Sequence, residues 1–192
     1  YAKNFVLVPV AIVFILSSIS LFGWIFGKNI GAFEIDIHFK QNTAVSFFLI
    51  SIATFLVWLK SEKVYIQYSS RIISIFVILL SVLTIYQKVT RVNLGIDLPF
   101  QFDPVGADPD FPGQMASRSA ITFILLGSAL LLNSYKRFPN KLATAFNSIV
   151  FFMSLVGLVA IIFDVQVFYP FQGSFQISDH IAICGLAAAF AG

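Results

Sequence analysis

Long apolar runs, broken by short polar clusters, organise this chain. Charge is absent from 5–26, 42–59, 72–87, 119–135 and 142–163, and another apolar run opens near Ile181 and continues to Gly192. A helix crosses the hydrocarbon core of a bilayer with about 20 apolar residues, and about 17 is the lower limit. Apolar residues are continuous in these runs, whereas the strands of a membrane barrel alternate. The pattern therefore predicts an all-α integral membrane protein with six transmembrane helices, over about 5–26, 42–59, 72–87, 119–135, 142–163 and 179–192, the sixth truncated in this chain. The third run has only 16 residues and calls for thin bilayer or snorkelling flanks.

Two of the polar clusters are written alike. Asn42-Thr43-Ala44-Val45-Ser46-Phe47 lies over Arg118-Ser119-Ala120-Ile121-Thr122-Phe123 at a separation of 76 residues. Thr43 or Ser119 can cap a helix start, where backbone N–H groups lack partners, and a small Ala lets a neighbouring helix approach closely. Each cluster marks a point where the chain re-enters the membrane. The repeating unit is an outward helix, a loop and a returning helix. A third unit runs from Leu142, with re-entry at Asp179-His180-Ile181-Ala182-Ile183, where Ile181 stands at the hydroxyl position. The expected architecture is a single transmembrane domain over 1–192, built as three helical hairpins in parallel repetition.

Composition agrees with the membrane reading. Of 192 residues, 58% are hydrophobic and 11% charged, with a mean hydropathy of +0.90, against about 25% charge in a soluble domain. The net charge of +3 and the absence of a basic stripe give no reason to invoke nucleic acid. Orientation follows from Lys and Arg, which favour the cytoplasmic side. One alternating set of loops holds Lys3, Lys60, Lys63, Arg71, Lys136, Arg137 and Lys141 against Glu62 alone; the other holds five basic residues against eight acids. The start of the chain is then cytoplasmic, and loops 27–41, 88–118 and 164–178 lie outside. Six spans return the far end to the cytoplasm, where a segment ending mid-helix must continue beyond Gly192. Trp24, Trp58, Tyr86 and Tyr135 stand near span ends, where amphipathic rings prefer the headgroups. Cys184, the single cysteine, sits in an apolar run and reads as a packed, inert thiol.

The polar residues offer little chemistry. Glu34, Asp36 and His38 alternate, so an extended segment would set them on one side as weak metal ligands; a solvated strand face is the plainer reading. The outer loop from about Lys88 to Arg118 carries Asp97, Asp103, Asp108 and Asp110 among four prolines. It lacks the spacing of a calcium loop and reads as solvated turns or as a lid over a small-molecule site. His38 and His180 could ligate haem iron axially, but no haem-attachment motif is present, and no cofactor is expected. No nucleophile–base pair, phosphate loop or zinc-spaced cluster is present, so this region is read as non-catalytic. The apolar runs carry no charged residue for a proton or ion relay, which argues against a transporter. Asn147 reads as a bridge between helices. Small residues crowd 185–192 and recur at Ser154, Gly157 and Ala160; such faces pack tightly, placing the last helix centrally or at a dimer interface.

Asn93-Leu94-Gly95-Ile96-Asp97, then Phe111-Pro112-Gly113-Gln114-Met115, then Ser119-Ala120 and Phe123-Ile124-Leu125-Leu126-Gly127 resemble a bacterial membrane sensor region, worded much like "LGID…PGRMSPNTALAFLLLG". That region precedes PAS, histidine kinase or diguanylate cyclase modules. The likeness runs from about Phe5 to the end, and includes Asp179-His180-Ile181-Ala182 in the third unit. Departures fall at Gln114, where the family has Arg, and at Ser117, Arg118 and Ile181. The resemblance implies a sensory input domain in a bacterial inner membrane, with a cytoplasmic kinase or nucleotide cyclase beyond Gly192. Asp97, Gln114, Arg118 and His180 are then the ligand-binding candidates, with Arg118 supplying the charge lost at Gln114. Lipid, a second copy of the chain or a larger membrane complex, and a small apolar ligand are the expected partners. The rival reading is an accessory structural subunit of a larger membrane complex.

Overall fold

The computed structural model describes residues 7–26, 40–59, 63–97, 114–135 and 140–162. Five α-helices cover nearly all of them: α1 Leu7–Phe26, α2 Gln41–Trp58, α3 Val64–Thr90, α4 Ser117–Asn133 and α5 Asn140–Ile162. No strand occurs among the described residues. Three stretches, Gln41–Trp58, Val64–Thr90 and Lys141–Val159, are long and apolar enough to cross a membrane, while the apolar stretches Leu7–Gly23 and Ser117–Asn133 are shorter. The sixth expected span lies outside the described residues.

The third helix corrects the sequence reading. It has 27 residues rather than 16, about 40 Å at 1.5 Å per residue, so its ends pass beyond a hydrocarbon core of about 30 Å. Arg71, which ended the apolar run, does not end the helix. Its guanidinium donates to the Ser134 carbonyl at 2.9 Å and lies 4.1 Å from the Tyr135 ring centroid and 5.3 Å from that of Tyr68. The helix closes at Arg91 in the left-handed region, φ 57°. The helices thus carry Arg71, Lys88, Arg118 and Lys141 near their ends, although the apolar runs themselves are uncharged.

Polarity is inverted across α3. It buries Ser70, Ser74, Val77, Ser81, Thr84 and Gln87 and exposes Ile72, Ile75, Phe76, Leu79 and Val82. A helix in water places its apolar stripe inward. In lipid no hydrophobic force separates the faces, and small residues gather where helices meet. The buried hydroxyls spend their hydrogen bonds on their own helix, as in Ser74 to Ser70 O at 2.9 Å and Ser81 to Val77 O at 2.8 Å. The inversion fits lipid surroundings.

Helices α2 to α5 run alternately up and down. Ser70 near the start of α3 donates to Ala53 O near the end of α2 at 3.4 Å, and Arg71 meets Ser134 just past the end of α4. Arg118, at the start of α4, donates to Met153 O in the second half of α5 at 3.3 Å. Helices α2 and α4 therefore point the same way, and they touch. Helix α3 packs against both, α1 packs on α2, and α5 packs on α4.

The repeated hexapeptide lies at the α2–α4 contact. Phe47 and Phe123, both fully buried, meet edge to face with centroids 4.7 Å apart and planes at 72°, an arrangement worth about 0.5–1.5 kcal/mol beyond area burial. Ala44 and Ala120 are equally buried, and Ser46 and Thr122 each bond back to the carbonyl four residues earlier. The expected caps are not formed. The N-cap residues are Lys40 and Ala116, neither with a side-chain cap bond. Thr43 and Ser119 lie inside the first turn and are buried, because their face of the helix is turned to the bundle.

A second repetition emerges from burial. Val13, Ser17 and Ser20 on α1, Val77, Ser81 and Thr84 on α3, and Val150, Ser154 and Gly157 on α5 form the same buried row, Val-x3-Ser-x2-small. Ser17 bonds to Val13 O at 2.7 Å as Ser81 bonds to Val77 O.

Candidate functional site

The most organised polar cluster sits where α2 begins and α3 ends. Beyond Thr90 the chain turns back on itself. Asn93 Oδ1 accepts the Gly95 N–H at 2.8 Å, and Gly95 has φ +69°, a conformation that costs glycine nothing. The turn delivers Asp97, which is 4% exposed, onto two amide side chains. Asn42 Nδ2 donates to Asp97 Oδ1 at 2.7 Å and to the Ile96 carbonyl at 3.1 Å. Gln87 Nε2 donates to Asp97 Oδ2, while its Oε1 accepts the Leu94 N–H at 3.0 Å. Each residue of Asn93-Leu94-Gly95-Ile96-Asp97 thus has a local role: the first four form and pin the turn, and the fifth locks it to two helices.

Burial pushes the Asp97 carboxyl above its ordinary value, and the bonds from Gln87 and Asn42, which favour the charged form, oppose this only in part. A buried carboxylate without those donors would carry a desolvation cost of several kcal/mol. The cluster is therefore a cooperative unit whose members depend on one another.

Two other candidates, Gln114 and Arg118, are described at this end of the bundle. Gln114, two residues before the α4 N-cap, has an Nε2 atom that is buried and without a partner, and Thr43 Oγ1 is in the same state. Arg118 is half-buried and reaches toward α5 through Met153 O. Since α2 and α4 begin at the same end, Asp97, Gln114 and Arg118 share it. No described bond joins Gln114 or Arg118 to Asp97. His180, Glu34, Asp36, His38 and the acids Asp103, Asp108 and Asp110 lie outside the described residues. Among the described residues, no three His, Cys, Asp or Glu side chains gather as a metal site.

The sequence singles out Asp97, as a ligand-binding candidate, but neither of the amides that hold it. Asn42 reads as part of a helix opening and Gln87 as the last residue of a span. The available signal was a pair of amide side chains, each at the end of an apolar run on the side of the chain that holds Asp97.

Comparison with known proteins adds no relative: no family model matches the chain, and neither a curated protein nor a solved structure does.

Proposed function

We propose that this chain is the membrane-embedded input domain of a bacterial signalling protein, passing an external or membrane-borne signal to a cytoplasmic effector. Three outside-looped hairpins form the domain, each an outward helix and a returning one. The two repetitions support this: the hexapeptide shared by α2 and α4, and the buried row shared by α1, α3 and α5. The distribution of basic residues, which favour the cytoplasmic side, supports a reading with the Asp97 end outside and the Arg71 end in the cytoplasm of an inner-membrane protein.

The observation that carries the sensing reading is the Asn42–Asp97–Gln87 lock. It ties a loop to the ends of two antiparallel helices through one buried carboxylate. A ligand that bonds to the orphaned Gln114 and Thr43 atoms, or competes for the amides of Asn42 and Gln87, changes the balance between locked and open loop. Such a ligand acts only by its differential affinity for the two states. Ala44 and Met115, buried and next in sequence to Thr43 and Gln114, suit a small, mostly apolar molecule with a polar head. Two copies of the chain would couple the movement to a dimeric effector.

The test uses the full chain in vesicles. The sequence after Gly192 is expected to encode a kinase or nucleotide cyclase, and Asp97→Asn is expected to shift its basal output while the protein still inserts. A stop codon within a few residues of Gly192 together with a stoichiometric copurifying partner, or an output unchanged by Asp97→Asn, contradicts the proposal and favours an accessory subunit.

A further inference from the structure

Arg118 is a cation without a counter-charge among the described residues. It sits in the first turn of α4, half-buried, and donates through Nη2 to the Met153 carbonyl of α5 at 3.3 Å. That carbonyl lies inside α5 and also serves its own helix, so the bond positions the guanidinium without neutralising it. Asp97 is the only acid among the described residues, and its two oxygens are held by Asn42 and Gln87. Arg71 at the other end spreads its charge over Tyr68 and Tyr135; among the described residues no ring stands over Arg118. A charge drawn partly out of water is costly unless an opposite charge comes with it.

The groups next to Arg118 in the chain are donors as well. Helix α4 opens at Ala116 with no side-chain cap bond. The N–H groups of its first turn have no acceptor within the helix, and the positive end of the helix dipole adds to them. Gln114, two residues before the cap, contributes a buried Nε2 without a partner. Guanidinium, amide and helix-opening N–H groups together suit the oxygens of a phosphate. The residues from Ala116 to Arg118 are partly exposed, so an anion can reach them.

Depth and surroundings say where that anion comes from. Arg118 lies 16 residues before Ser134, the partner of Arg71, which is about 24 Å along a helix at 1.5 Å per residue. With Arg71 at one boundary of a hydrocarbon core of about 30 Å, Arg118 stands near the other, at headgroup level. Apolar side chains open to the surroundings lie within a turn of this contact: Ile121 on α4, and Ile149 and Phe152 on α5. Because α4 and α5 are antiparallel, all three lie on the hydrocarbon side of Arg118 or level with it. An acyl chain fits there below a head held by Arg118. No described acid is free to receive the ammonium of a zwitterionic head, which favours a lipid of net negative charge.

We propose that Arg118 and the opening turn of α4 bind the phosphate of a net-anionic phospholipid, of the phosphatidylglycerol kind, whose acyl chains lie against Ile121 and Phe152. The inference rests on the sensing reading in taking this as the ligand-facing end of the bundle, and it gives the ligand a chemical class.

Native mass spectrometry of the full chain in a neutral detergent tests it, with dioleoylphosphatidylglycerol, dioleoylphosphatidylcholine and inorganic phosphate as probes. Phosphatidylglycerol is expected to be retained in preference to phosphatidylcholine and not to be displaced by phosphate. Arg118→Gln can still donate to the Met153 carbonyl but carries no charge. It is expected to lower retention about tenfold, the scale of one charge-assisted hydrogen bond. Arg91→Gln removes an exposed cation from the same end and is expected to change nothing. Ile121→Glu offers Arg118 a carboxylate one turn along the exposed side of α4. It is expected to release the lipid as Arg118→Gln does, which keeps the test decisive if that variant does not fold. The absence of a preference for phosphatidylglycerol, retention unchanged in Arg118→Gln or in Ile121→Glu, or an equal loss in Arg91→Gln overturns the proposal. Displacement by inorganic phosphate overturns it too and assigns the site to a free anion. These readouts report lipid binding alone; sensing is judged by effector output, so the two fail separately.

Discussion

The two ends of the bundle solve the same problem with opposite charges. At one, the Asp97 carboxylate is buried and its two oxygens are held by amides from α2 and α3. At the other, the Arg71 guanidinium is half-buried, stacks between Tyr68 and Tyr135 and donates to Ser134. Both fasten α3 to a neighbouring helix. A carboxylate is compact and only accepts hydrogen bonds, so burying it demands a full set of aligned donors. A guanidinium is planar and weakly hydrated, and spreads its charge over aromatic faces while part of it stays in water. The Asp97 end is accordingly all-or-none and the Arg71 end graded. An all-or-none contact is the better place for a switch.

Four measurements sharpen or break that contrast. The largest effect is expected from Gln87→Ala, which takes one donor from Asp97 and the acceptor from Leu94 and leaves a void. Chemical denaturation in detergent should show a loss of about 3 kcal/mol, the range for a charge-assisted hydrogen bond plus a buried polar group left unmade. A loss near zero would mean that Asp97 is satisfied by water. Next comes the middle of the bundle. At Gly127 an added Cβ would stand 2.8 Å from Ile78 Cγ1 and 3.2 Å from the Ser74 carbonyl oxygen. Gly127→Ala should therefore push α3 from α4 and cost about 1–3 kcal/mol in the same assay; a neutral result would show that the two helices separate freely. Arg71→Lys should cost only about 1 kcal/mol, because a lysine keeps the charge but loses the planar stacking. A loss as large as that of Gln87→Ala would abolish the distinction between the ends.

The smallest effect is on pH dependence. The folded-state value of Asp97 lies above the ordinary carboxylate value, so the folded protein binds this proton more readily than the unfolded chain does. Its contribution to stability therefore falls as pH rises from the unfolded value to the folded one, and is constant on either side. Melting temperature, compared between the native chain and Asp97→Asn over that window, should show the native chain losing ground with rising pH. The opposite slope would mean that hydrogen bonding outweighs desolvation.

The apolar runs made five of the helices legible, because continuous apolar side chains have no other reading at this length. The ends were not. The run that became α3 stopped at Ile72 in the sequence because a charge followed. In the molecule Arg71 is accommodated by partners 63 and 64 residues away, Ser134 and Tyr135, which no local pattern encodes. The repeated hexapeptide was legible, and it marks the α2–α4 contact; its proposed caps were not real, because Thr43 and Ser119 face inward. The Val-x3-Ser-x2-small row escaped notice because valine and serine are unremarkable in an apolar helix until their burial is known. Within the polar cluster, Asp97 stood out as a charge beside a glycine turn. Asn42 and Gln87, neutral and 45 residues apart, gave no sign that they would meet on one carboxylate.

Surface labelling of intact cells tests the central claim, that the Asp97 end faces outward and the Arg71 end inward, most directly. Val92 and Lys63 are both exposed and flank the two ends of α3. In a Cys184→Ala background, Val92→Cys is expected to react with a membrane-impermeant maleimide from outside the cell, and Lys63→Cys only after permeabilisation. The reverse labelling would contradict the account.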